Sequence, residues 1–287
     1  MLGIYKKELR NYFTSMIGYV FIAFFLVIIG IYFVIYNLFF GLANFEYSLG
    51  TVTFIFVLLI PLLTMRLMSE EKKQKTDQLL LTSPLSASSI VLGKFLAVLT
   101  IFLIVMAIVS TYPLIMSLYG NVPYGSAYGS ILGFALLGGA YLAMGLFISS
   151  LTDSQVVAAV ISFIVFLFTV LMEGIASIFP TDNKTALIVF LAIVIIICLM
   201  LYQMMHNLTV SIVTAIIGTV GLLGAYLIKP TLFDGSLIKA FEWMSVISRF
   251  DTFNAGILDI SGIIYYLSII FIFNFLSIQA IKKRRWS

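Results

Sequence analysis

The strongest constraint on this chain is that its apolar residues come in unbroken runs of about 17–27 residues. As a helix rising about 1.5 Å per residue, such a run crosses the ~30 Å hydrocarbon core of a bilayer. Lipid offers backbone polar groups no partner, so only helices and closed barrels span it. A barrel needs alternating segments of about ten residues, and none are present. The chain is 62% hydrophobic and 10% charged, whereas a soluble domain is near half apolar and a quarter charged. The expected fold is therefore an all-α polytopic membrane protein, with residues 1–287 forming one transmembrane domain. A net charge of +4 with cations near the span ends suits membrane orientation and no nucleic acid.

Residues 1–15 read as an amphipathic interface helix. Tyr5, Leu9, Tyr12 and Met16 share one face, and Lys6 and Arg10 another. A plain positive-inside anchor is the alternative. Met16–Phe40 exceeds a signal-peptide core of about 7–15 residues and lacks an A-x-A-like site, so it reads as the first permanent span. The second span is expected over Thr51–Met68, bent near its inner end by Pro61. Three more follow over Gly93–Tyr119, Tyr128–Leu151 and Val156–Phe179, and the last over Gly262–Ile281. Residues 186–228 form a thin extra hairpin or a re-entrant pair, which brings the count to about eight. Residues 229–259 form an extracellular amphipathic segment, with Leu237, Phe241, Met244 and Ser248 on one face and Trp243 at headgroup level; a loop packed on helix ends is the alternative. This map places 12 of the 16 basic residues, including Lys94 and the Lys282–Arg285 tail, on the cytosolic side with both termini.

Charge concentrates in a cytosolic segment over 66–92, between the second and third spans. The pattern predicts a helix over Glu70–Leu81 with a Glu71–Lys75 pair one turn apart. Leu79–Leu81 provide an apolar edge, Pro84 stops the helix, and Ser86–Ser89 cap the next one. The segment would then be a stiff lever rooted in a span; a solvated charged loop is the alternative.

Residues for catalysis are scarce. There is no phosphate-binding loop, no Ser-His-Asp set and no H-E-x-x-H. The single cysteine, Cys198, and single histidine, His206, build neither a disulfide framework nor a metal site. Glu173 is the one candidate for a substrate path or gate, against the reading of a wet interfacial glutamate. Gly129, Gly133 and Gly139, with Ala135 and Ala143, let helices approach closely, either within one subunit or at a dimer seam.

The order Arg66, Glu70, Glu71, Lys72, Lys73, Thr76, Asp77, Leu79–Leu81, Pro84, then Gly93-Lys94, resembles permeases of ABC-2 type transporters. The C-terminal ISRFDTFNAGILDISGIIYYLSIIFIFNFLS and its KKRRW tail are similar to the branch of gliding-motility and copper-assembly permeases. The resemblance covers residues 1–180 and 245–287. Two positions depart from it: the pattern usually has glycine before the threonine, where this chain has Lys75, and often glutamate two after it, where Asp77-Gln78 stands.

That resemblance implies a type V exporter-like transmembrane domain of six core spans, with the hairpin an addition. It implies a bacterial plasma-membrane subunit that pairs with a second permease copy or a similar permease. A separate cytosolic ABC ATPase would bring ATP and Mg, so this chain would be no enzyme and hold no cofactor. Docking would fall to Tyr5, Leu9, Tyr12, Glu70, Glu71, Thr76, Asp77, Leu80 and Pro84, with Asp153 in a tight inner turn as a second contact. Two other classes stay open: a scaffold through which the ATPase works on an extracytoplasmic auxiliary protein, and an ion-coupled carrier, against which the paucity of buried charges argues. The substrate is not legible.

Overall fold

The computed structural model describes residues 1–76, 85–178, 182–205 and 233–286, with 215, 218–222, 224, 226 and 229. Every regular element among them is helical: α1 Leu2–Thr14, α2 Met16–Phe33, α3 Glu46–Val52, α4 Ile55–Thr64, α5 Arg66–Lys73, α6 Ala87–Val109, α7 Tyr112–Met116, α8 Tyr124–Leu151, α9 Gln155–Ile178, α10 Asn183–Met205, α11 Ser236–Met244, α12 Ser248–Asn254 and α13 Ile260–Trp286. A π-helical turn, Val34–Phe39, prolongs α2. Among the described residues, five helices are long and apolar enough to cross a membrane, or six if the bent pair Glu46–Val52 and Ile55–Lys73 counts as one. The chain is therefore a multi-pass membrane protein. Of the 186–228 hairpin, the first arm is helical as part of α10, and most of the second lies outside the described residues.

The chain divides into two compact units, residues 1–170 with 246–287, and residues 171–245. In the first, α8 is the hub: 78% of its apolar window is buried, against 22% for α9 and α13, so α8 faces protein while those two face lipid. Glycine makes that centrality workable. A Cβ at Gly138 would strike the Phe102 ring, and one at Gly145 would strike Thr64. Phe102 thereby joins a buried aromatic cluster in which Phe25–Phe56, Phe25–Phe102 and Phe56–Phe134 centroids lie 5.7, 5.8 and 4.5 Å apart. Of the expected packing glycines, Gly133 sits under Phe253, Gly139 meets Ile270 and Gly129 meets Leu258. All three contacts lie within the subunit.

The second span does not bend mainly at Pro61. Its 60° bend falls at Thr53–Phe54. There the helix tightens: the Thr53 amide and Oγ1 both donate to the Gly50 carbonyl, and Phe56 and Val57 bond only three residues back. Pro61 stays inside α4. Glu46, expected in a short outer loop, is buried in the first turn of α3, where the helix N-terminus favours a carboxylate. Residues 229–259 do not form one surface segment either. Within the second unit, α11 buries Leu237 and leaves Trp243 67% exposed. In the first unit, α12 buries Phe250 and Phe253, and Ser130 Oγ donates to the Phe253 carbonyl at 2.9 Å.

The glycine packing predicts a contrast. Gly138→Ala should destabilise the fold by about 1–3 kcal/mol through overpacking. Gly125→Ala, with nothing near its Cβ, should be neutral or gain from helix propensity. Unfolding midpoints in mixed micelles check this.

Candidate functional site

The charged tips gather at one end of the first unit. At their centre is Lys94, at the start of the third span and only 1% exposed. Its ammonium has three donors, and three acceptors meet it: Glu8 Oε1 at 3.0 Å, Glu71 Oε2 at 2.8 Å and the Leu67 carbonyl at 2.6 Å. Glu71 Oε1 also takes Lys7 at 3.3 Å. Two carboxylates and two ammonium groups therefore cancel, which is how buried charge is tolerated. The group ties α1, α5 and α6 together.

Local sequence explains each placement. Ile4, Glu8 and Tyr12 are an i, i+4, i+8 stripe and form the buried face of α1. Gly93 lets that helix come close: a Cβ there would lie 3.2 Å from Ile4 Cβ and the Met1 carbonyl. The face carrying Tyr5, Leu9 and Tyr12 therefore turns inward. Tyr5 shares a hydrogen bond with Thr100 Oγ1 at 3.1 Å, Leu9 packs on the core, and Tyr12 Oη donates to the Leu63 carbonyl at 2.8 Å. Burial pushes the Tyr12 phenol well above its ordinary range. Lys6, Lys7, Arg10, Asn11 and Thr14 are exposed on α1, as are Leu2 and Gly3 in its first turn.

The helix that follows the second span ends earlier than its sequence suggests, and residues 77–81 of the expected stretch lie outside the described residues. α5 stops at Lys73, not Leu81. The Lys75 amide donates to the Lys72 carbonyl at 3.1 Å and the Thr76 amide to the Glu71 carbonyl at 2.9 Å. That is a Schellman cap, and Lys75 takes its left-handed position at φ +58°. The helical register that would pair Glu71 with Lys75 is lost, and Glu71 turns to Lys94. Glu70 instead holds Arg66 in a two-pronged contact at 2.7 and 2.8 Å. Thr76 is exposed just beyond the cap. Asp77, Leu80 and Pro84 lie outside the described residues. Ser86 caps α6 as expected, its Oγ accepting the Ser89 amide at 3.2 Å.

A second set of contacts joins this region to the turn between α8 and α9. Ser149 Oγ accepts the Met68 and Ser69 amides at 3.1 and 3.3 Å and donates to the Met65 carbonyl at 3.0 Å. It satisfies groups that the break at Met65 would orphan. Asp153 is 2.9 Å from Arg284 and 3.6 Å from Lys72. The Arg284 hydrogen bond, then both cations' charge, hold its carboxyl below the usual range. The sign follows: what this carboxylate contributes is present above its unfolded pKa and lost as pH falls through the lower folded value. It is 68% exposed, so that contribution is small. The backbone of Glu173 lies in α9 just past the apolar window, and its side chain is outside the described residues.

Sequence reasoning missed Glu8 and gave Lys94 a place in a motif and on the cytosolic side, but no partner. The available signal was a carboxylate centred in an apolar stripe, and a lysine following glycine at the head of an apolar run.

A family model described as ABC-2 family transporter protein matches residues 41–228, more than half of the chain. No curated protein matches it. The match runs through 186–228, the stretch set apart above as an addition, and stops before the C-terminal span. The chain belongs to the ABC-2 transporter family, a membrane component whose partner is an ABC ATPase.

Two substitutions test the site. Lys94→Met should cost about 3–5 kcal/mol by stranding buried carboxylates, and adding Glu8→Gln and Glu71→Gln should recover most of it. Lys75→Gly should stabilise by about 1 kcal/mol, because glycine adopts the left-handed cap without penalty. Both are read as changes in unfolding free energy in mixed micelles.

Proposed function

We propose that this member of the ABC-2 transporter family is the membrane-spanning permease subunit of an exporter in a bacterial plasma membrane. It couples ATP hydrolysis by a separate cytosolic ABC ATPase to export of a substrate. The observation that carries the reading is the Lys94 group. It binds the interface helix, the segment after the second span and the head of the third span into one piece, so a push on any of them moves the others. This charged end is the cytosolic one, because it holds Lys6, Lys7, Arg10, Lys72, Lys73, Lys75 and Lys282–Arg284.

The docking surface on this reading is the exposed rim of that piece, Arg10 and Lys6 on α1, Lys73–Thr76 at the cap and Asp153 beyond it, together with Asp77, Leu80 and Pro84, which lie outside the described residues. Tyr5, Leu9, Tyr12, Glu70 and Glu71 serve by fixing the rim in place rather than by touching the ATPase. A second permease copy or similar subunit completes the path, and ATP and Mg stay on the ATPase.

Affinity purification from native membranes tests this. The wild-type chain should recover an ATPase with a phosphate-binding loop. Replacing residues 76–84 by a Gly-Ser linker should reduce recovery at least about tenfold, a loss of some 1.4 kcal/mol. Unchanged recovery would contradict the docking surface.

A further inference from the structure

Among the described residues two carboxylates are buried, Glu8 and Glu46. Glu8 has Lys94. Glu46 lies at the other end of the second span and is 4% exposed. Among the described residues no cation or hydrogen-bond donor meets it, and its Oε2 is fully enclosed. The start of α3 favours a carboxylate, yet no amide donates to this one. A second bare oxygen lies one turn along. Gly50 follows Glu46 by four residues on the same face of α3. A Cβ at Gly50 would lie 2.6 Å from Asn254 Nδ2 and 3.4 Å from Asn254 Oδ1, so the glycine lets that amide come up against the helix. Asn254 Oδ1 is enclosed and also accepts no hydrogen bond. Thr53 continues the face, 8% exposed, and the span bends just beyond it.

From these two oxygens we infer a site for one small monovalent metal cation, sodium or potassium, held by Glu46 and Asn254 beside the bend in the second span. Buried acceptors are seldom left without a partner, and a buried charge without one is strongly destabilising. A bound cation removes both faults at once. Broken membrane helices hold small cations in this way. Charge sets the valence. One carboxylate balances one positive charge, and among the described residues no three Asp, Glu, His or Cys side chains gather as a ligand set for a divalent ion. Oxygen donors suit a hard ion. The ion ties α3 to α12, and α12 is already fastened to the hub helix α8 by Ser130 on the Phe253 carbonyl. Loading the site therefore fixes the outer half of the second span against α8. The inference needs no ATPase, and it stands or falls separately from the docking rim.

The test uses the full-length permease in mixed micelles, with unfolding midpoints read in sodium, potassium or N-methylglucamine chloride at equal ionic strength. Sodium or potassium should raise the wild-type midpoint over the bulky organic cation by about 2–4 °C once the ion stands at about five times its dissociation constant. The ion that acts at the lower concentration is the occupant. Glu46→Gln removes the charge and keeps the shape. It should unfold above wild type in N-methylglucamine and gain nothing from either metal ion. Asn254→Leu should keep the response but need about tenfold more ion. Equal wild-type midpoints in all three salts overturn the site. So does an equal rise in Glu46→Gln, a Glu46→Gln midpoint below wild type in N-methylglucamine, or an unchanged ion requirement in Asn254→Leu. An infrared band of protonated carboxylic acid that Glu46→Gln removes and neither ion alters overturns it as well, because a proton then neutralises Glu46.

Discussion

A single buried ammonium organises the charged end of this molecule. Lys94 lies where an apolar span begins, and an unpaired cation there would cost several kcal/mol. Meeting Glu8, Glu71 and the Leu67 carbonyl satisfies all its donors and fixes three segments that the sequence leaves independent. α1 cannot lift away without stranding Glu8. α5 cannot swing without stranding Glu71. The surrounding hydrogen bonds from Tyr12 and Ser149 follow from those segments being held there.

The rim available to an ATPase is a consequence of that fixing. Apolar and aromatic residues on α1 that resemble a docking face are used instead to seat the helix on the bundle. Past the first turn of α1, where Leu2 is exposed, what remains outward is basic and polar, ending at a helix cap whose left-handed residue is a lysine. The family pattern usually has glycine there, and the geometry supplies the reason: only glycine takes that backbone position without Cβ strain. The family likeness thus carried a structural fact that the residue itself conceals.

Much of the fold was legible. Long apolar runs gave the spans at Met16, at 128–151 and at 262–281 close to where α2, α8 and α13 lie, because lipid leaves the backbone no alternative to helix. Ser86 was readable as a cap because capping is local chemistry. Bends were not. Proline is the visible cue for a kink, yet the 60° bend came from tightened turns at Thr53–Phe54, which depend on what packs around them. The Glu71–Lys75 pair failed because helix propensity sees neighbours along the chain, whereas a buried cation 23 positions away outcompeted it. The tightest glycines, Gly138 and Gly145, were passed over for Gly129, Gly133 and Gly139, since spacing shows smallness but not what presses on it.

The central claim is that Lys94 makes one body of α1, α5 and α6. Spin labels at Arg10 and Lys73, in a Cys198→Ser background, measure it directly by pulsed dipolar spectroscopy. With Lys94 present the distance distribution should be single and narrow, and with Lys94→Met, in a protein that still inserts, it should broaden. Equally narrow distributions in both proteins would contradict the account.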